Sequence, residues 1–170
     1  AFRNTELSYN DELAKWADDF GFKAILAEGW DPILQWRTPN HIYKPKGTKN
    51  IHLLLKNYKL SDDLAFRFSN RNWQEYPLTT QKYISWLESS SYHGDVINLF
   101  MDYETFGEHQ WAESGIFDFF ESLVLYWLKK PEHGFKTVTE AAQSEPVAEI
   151  SMPNTVTWAD TERDLTAWLG

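Results

Sequence analysis

The chain has 170 residues, enough to bury one sizeable core, and its 42% hydrophobic and 24% charged content is that of a folded, soluble protein. A formal charge of −9 disfavours nucleic acid and anionic lipid surfaces as partners, and no run approaches the roughly 20 apolar residues of a membrane span. The absence of cysteine removes disulfides, thiolate metal sites and a thiol nucleophile, and it fits a reducing, cytoplasmic setting.

Residues 11–20 place Leu13, Trp16, Ala17 and Phe20 on one helical face, with Asn10 able to cap the start and Gly21 the end. Phe22 to Ala27 is nearly all apolar, as expected of a strand covered on both faces, and runs into Glu28, Gly29, Trp30, Asp31 and Pro32. Ile51 to Leu55 reads as a second such strand ending in Lys56 and Asn57, after which Ser61 opens a helical stretch through Leu64, Ala65 and Phe68. A helix is expected over 79–90. Val96 to Met101 then forms a third apolar run, predicted as a strand, that ends in Asp102, Tyr103 and Glu104. Over 115–130, Ile116, Phe119, Phe120, Leu123, Val124, Trp127 and Leu128 recur at helical spacing, and Lys129, Lys130 and Pro131 close the segment. Residues 132–160 read mostly as loop, with a short helix at 137–143.

Strands alternating with helices predict parallel β/α units, hence an α/β fold in which the strand ends share one rim. Periodicity alone leaves both a barrel and a doubly wound sheet open. Two carboxylates stand at that rim, Glu28 and Asp102, each directly after an apolar strand. A carboxylate at the end of a buried strand is costly unless it is paired or used, although helix caps also occupy such places. Two carboxyl groups are what glycosidic bond cleavage requires, one to attack or to activate water and one to protonate the leaving oxygen. Nine Trp, eight Tyr and eleven Phe supply faces for stacking on sugar rings or for an ordinary core. Near the pair, Trp30, Tyr103, Phe106 and Trp111 are candidate stacking faces, and Glu6, Asp31, Glu104 and His109 candidate partners for hydroxyls. Glu104, Glu108 and His109 raise a metal-hydrolase alternative, but no second histidine stands at metal-ligand spacing. Glycine-rich phosphate loops and the serine elbow of α/β-hydrolases are absent from the sequence.

The segment Phe100-Met-Asp-Tyr-Glu-Thr-Phe-Gly-Glu-His-Gln-Trp111 resembles the fourth signature region of glycoside hydrolase family 57, and Ala24-Ile-Leu-Ala-Glu-Gly-Trp30 resembles the third. Asn4-Thr-Glu-Leu7 is similar to the second, and Asp164-Leu-Thr-Ala-Trp168 to the fifth; the first, a His-Gln-Pro sequence, is not in the chain. The resemblance implies Glu28 as nucleophile and Asp102 as general acid/base. It implies substrate-binding roles for Glu6, Asp164 and Trp168. It also implies a retaining mechanism on α-1,4-glucans or maltooligosaccharides, with no cofactor and no required metal. The expected architecture is an incomplete (β/α)7 barrel of parallel strands with outer helices, of which residues 1–170 form a partial catalytic domain. Hydrolysis of the α-amylase kind is the expected activity, with 4-α-glucanotransferase or branching activity, or a non-catalytic carbohydrate-binding module, as the alternatives.

Overall fold

The computed structural model describes residues 1–159. The first helix, α1 (Asp11–Asp19), begins where expected because the Asn10 side chain accepts the Leu13 N–H at 2.8 Å, and Gly21 follows it with φ +84°. Strand β1 (Ala24–Glu28) then leads into the single turn α2 (Asp31–Leu34), which carries Pro32 in its first turn, where no backbone donor is needed. Two strands follow, β2 (Ile42–Pro45) and β3 (His52–Lys56). The helical stretch after β3 starts earlier than the sequence suggests. Asn57 caps α3 (Tyr58–Asp62) by accepting the Leu60 N–H, while Ser61 is buried inside it with its hydroxyl on the Asn57 carbonyl. One turn of π-helix, Asp63–Arg67, continues the chain. The helices α4 (Thr80–Ser91) and α5 (Ile116–Trp127) lie close to their expected spans.

The short helix expected at 137–143 is α6 (Val138–Ala141), closed by a reciprocal Thr137–Glu140 capping box, while the short strand β4 (Glu149–Ile150) interrupts the stretch expected to be loop. The sheet has the order β1-β3-β2-β4. Its β1/β3 and β2/β4 pairs are parallel, but β2 runs antiparallel to β3, contrary to the all-parallel expectation. The fold is α/β with a mostly parallel sheet.

The segment 96–101, expected as a third strand, joins no ladder. Its backbone is held at isolated points instead: Asn57 N–H donates to the Asn98 carbonyl at 2.9 Å, the Asn98 amide donates to the Leu55 carbonyl at 3.0 Å, and Phe100 N–H donates to Ser61 Oγ at 3.2 Å. It therefore lies against the C-terminal end of β3, with the Val96 N–H also donating to the Asn40 carbonyl at 3.1 Å, held by a mixture of backbone and side-chain bonds.

Alternation along the strands assigns each residue to a face. Ile25, Ala27, Leu53 and Leu55 join Ala14 and Ala17 of α1 in one core layer; Ala24, Leu26 and Leu54 point the other way, toward Ala141, Val96, Phe100 and Trp158. A separate apolar cluster gathers Leu60, Leu64, Tyr83, Leu87, Ile116, Phe119 and Leu123, with Met101 and Phe106 packed against it. The buried face of α5 is narrower than its sequence stripe: Phe120 and Leu128 are exposed.

Candidate active site

Glu28 is the last residue of β1, on the same face as Ala24 and Leu26, and is only 1% exposed. Its neighbour across the parallel pair is Lys56, the last residue of β3, so the two side chains emerge side by side. The strands stay in close contact just beyond this point. A Cβ on Gly29 would stand 2.1 Å from the Lys56 carbonyl oxygen, so only glycine fits there. The Gly29 N–H donates to Glu28 Oε1 at 2.8 Å. Lys56 Nζ lies 3.4 Å from Glu28 Oε2 and 2.8 Å from Asp62 Oδ1, the latter carried by α3.

Asp102 follows the irregular segment 96–101 in extended conformation, immediately before one 3-10 turn, Tyr103–Thr105. Its carboxylate faces the Arg3 guanidinium at 3.4 Å and is partly open to solvent. Glu28 and Asp102 line one cavity of about 120 Å³, together with Glu6, Lys56, Asp62, Phe66, Phe100, Met101, Thr105, His109 and Trp158. Glu6 sits in the left-handed region at φ 50°, held there by Thr157 Oγ1 and the Trp158 N–H donating to its carbonyl, and the Trp158 indole donates to its carboxylate. The Trp158 ring also has Lys56 Nζ and the Arg3 guanidinium carbon each 4.9 Å from its centroid. One indole thus touches the cation beside each of the two carboxylates. His109 stacks on Phe66 at 6.3 Å. Glu6, Glu28, Asp62 and Asp102 against Arg3 and Lys56 leave the cavity with an excess of negative charge.

Of the sequence candidates, Glu6, Glu28, Asp102 and His109 come together here. Trp30 packs half-buried on the core layer beneath α1. Asp31 opens onto a separate groove, where it accepts the Tyr58 hydroxyl at 2.8 Å. Burial, that hydrogen bond and the carboxylates of Asp31, Glu28 and Asp62 push Tyr58 up to about 12. Glu104 is exposed and contributes its carbonyl to the Glu108 and His109 N–H groups, while Trp111 is exposed outside the cavity. Asp164 and Trp168 lie outside the described residues. Among the described residues no group of three or more His, Asp or Glu side chains is placed to hold a metal, so Glu104, Glu108 and His109 form no such cluster.

Sequence reasoning missed Arg3, Lys56, Asp62 and Trp158. Lys56 had a signal: it ends the second apolar strand just as Glu28 ends the first, and parallel neighbours place equivalent strand ends together. Trp158 had none, since it sits in a weakly patterned stretch.

Glu28 at the end of β1 and Asp102 after the irregular segment 96–101 thus line one cavity rimmed by aromatic residues, and they lie in the segments that resemble the third and fourth signature regions. The sequence profile described as glycosyl hydrolase family 57 matches residues 1–153, and the chain belongs to that family. Among known proteins, one from Methanocaldococcus jannaschii named "Putative alpha-amylase" is 53% identical over 173 residues. That similarity covers 99% of this chain and 36% of the relative, so the chain spans about a third of the relative's length.

Proposed function

We propose that the chain carries the reacting carboxylates of a retaining glycosidase that hydrolyses α-1,4-glucans, within an incomplete (β/α)7 barrel. The observation that carries the reading is that Glu28 and Asp102, far apart in sequence, line one cavity. Glu28 attacks the anomeric carbon while Asp102 protonates the glycosidic oxygen, and the sugar becomes ester-linked to Glu28. Asp102 then removes a proton from the incoming water, which releases the sugar with its α configuration restored. Glu6 and His109, which line the cavity, accept from or donate to sugar hydroxyls in this reading, and Phe66, Phe100 and Trp158 contribute ring faces. The net negative charge of the cavity favours an oxocarbenium-like transition state. This mechanism calls for carboxyl groups roughly 5 to 5.5 Å apart.

The test uses the complete protein with maltoheptaose and with a fluorinated glucosyl fluoride that traps the ester. Expected are short products first released as α-anomers, a trapped sugar on the peptide containing Glu28, and loss of turnover by at least about 10³-fold in Glu28→Gln. Longer chains among the products would replace hydrolysis by transfer, and β-anomers as first products would overturn retention.

A further inference from the structure

Lys56 is 4% exposed, and a buried ammonium is stable only when opposite charge compensates it. Two carboxylates do so, unequally. The closer contact, 2.8 Å, is to Asp62, and the longer, 3.4 Å, is to Glu28 Oε2. The lysine thus sits closer to Asp62 than to Glu28, whose other oxygen accepts the Gly29 N–H at 2.8 Å. The geometry points to Lys56 as a positioning residue, steered by Asp62, that keeps Glu28 ionised while its closer ion pair stays with Asp62.

The inference rests on the nucleophile role proposed for Glu28 and adds a division of labour to it. With Glu28 ionised, the trio Glu28, Lys56 and Asp62 carries one net negative charge. When Glu28 becomes a neutral ester, Lys56 keeps Asp62 as its counter-ion, so no unpaired cation is left buried in the intermediate. The Trp158 ring, 4.9 Å from Nζ, closes one side of the ammonium and restricts water there. A lysine paired with Glu28 alone would bind the ground-state carboxylate and oppose its attack.

Removing either partner has opposite consequences. Loss of the Lys56 charge makes Glu28 easier to protonate and moves the acidic limb of the kcat/KM profile to higher pH. Loss of the Asp62 charge leaves Lys56 entirely to Glu28, which moves that limb to lower pH and slows the attack. Among the described residues, the charged and titratable groups near Glu28 include Arg3 and Glu6 from the N-terminal segment, Tyr58 from α3, and Asp102 and His109 from the 100–110 segment; they are the same in both variants.

The experiment compares pH–rate profiles of Lys56→Met, Lys56→Arg and Asp62→Asn in the complete protein, each checked for a cooperative melting transition and for trapping of the sugar on Glu28. Expected are an upward displacement of the acidic limb by at least about one pH unit in Lys56→Met and a downward one of about half a unit or more in Asp62→Asn. Asp62→Asn should also lose roughly tenfold or more in the rate of trapping, and Lys56→Arg should restore the limb. Limbs that coincide with the unaltered enzyme, or that move in the same direction, overturn the inference while leaving Glu28 as nucleophile. If Lys56→Met does not fold, the direction of the Asp62→Asn limb decides alone. Failure to trap a sugar on Glu28 in the unaltered enzyme would instead remove the reading on which the inference stands.

Discussion

At the scale of single residues, the tyrosines make the folded chain sensitive to alkali. Tyr58 is pushed up to about 12, and burial raises Tyr9 and Tyr83 as well, Tyr83 with its hydroxyl donating to the Leu60 carbonyl. In the unfolded chain tyrosines release their protons near pH 10. Between about 10 and 12 the unfolded state therefore binds fewer protons than the folded one. The stabilisation from Tyr58 is complete below about pH 10 and is lost as the pH rises through that window. Urea unfolding measured from pH 9 upward should show a falling midpoint, and Tyr58→Phe should make the fall shallower. An equal slope in the variant would show that Tyr58 does not titrate differently in the two states.

At the scale of elements, the turn after β3 concentrates structural demands on one side chain. Asn57 caps α3 through the Leu60 N–H and donates to Asn40 Oδ1 at 3.0 Å, and its backbone holds the Asn98 carbonyl. Asn57→Ala should cost about 2 kcal/mol, from a lost cap and an unmet buried acceptor, whereas Asn57→Ser keeps the cap and should lose about half as much. Chemical denaturation of the two variants distinguishes these outcomes. Because α3 carries Asp62, activity should follow the same order.

This turn also shows what was legible in the sequence. Apolar runs at 22–27 and 51–55, each ending in a charge, marked β1 and β3 and placed Glu28 at the rim. The apolar run at 96–101 looked the same on paper but is not a strand, because Asn98 spends its amide on the Leu55 carbonyl and Ser61 takes the Phe100 N–H. Periodicity reports which side chains are buried, not which backbone groups find ladder partners. Strand β2 was hidden for the opposite reason, since it is four residues long and contains Lys44 and Pro45.

At the scale of the whole molecule, the two proposed reacting groups hang from different bodies of packing. Glu28 belongs to the sheet, whereas Asp102 is flanked by Met101 and Phe106, which pack on the helical cluster around Phe119 and Leu123. Sequence pattern singled out the two carboxylates that line the cavity and predicted the α/β class, yet it could not show the antiparallel β2 or the cations beside each acid, which depend on pairing between distant segments. Leu123 is buried some distance along the chain from the cavity, and Leu123→Ala should cost about 2 to 5 kcal/mol through the void it leaves. If the helical cluster sets the position of Asp102, kcat should fall severalfold at temperatures where the variant is fully folded. An unchanged kcat with a lowered melting point would confine Leu123 to stability.

The cavity is closed by segments from opposite ends of the described chain. Phe2 bridges to Ile25, Tyr9 pairs with Val156, Asp11 accepts from Ser151 and Met152, and Glu6 is held by Trp158, 152 residues further on. During translation, Glu6 must therefore wait for its partner: at 5–20 residues per second the gap between their syntheses is roughly 8 to 30 s. Over that interval the emerging polypeptide can form α1 and the β1/β3 pair but has no wall at Trp158. The nascent chain holds Glu28 and Lys56 in an open trough whose wall is completed only when Trp158 has left the ribosome.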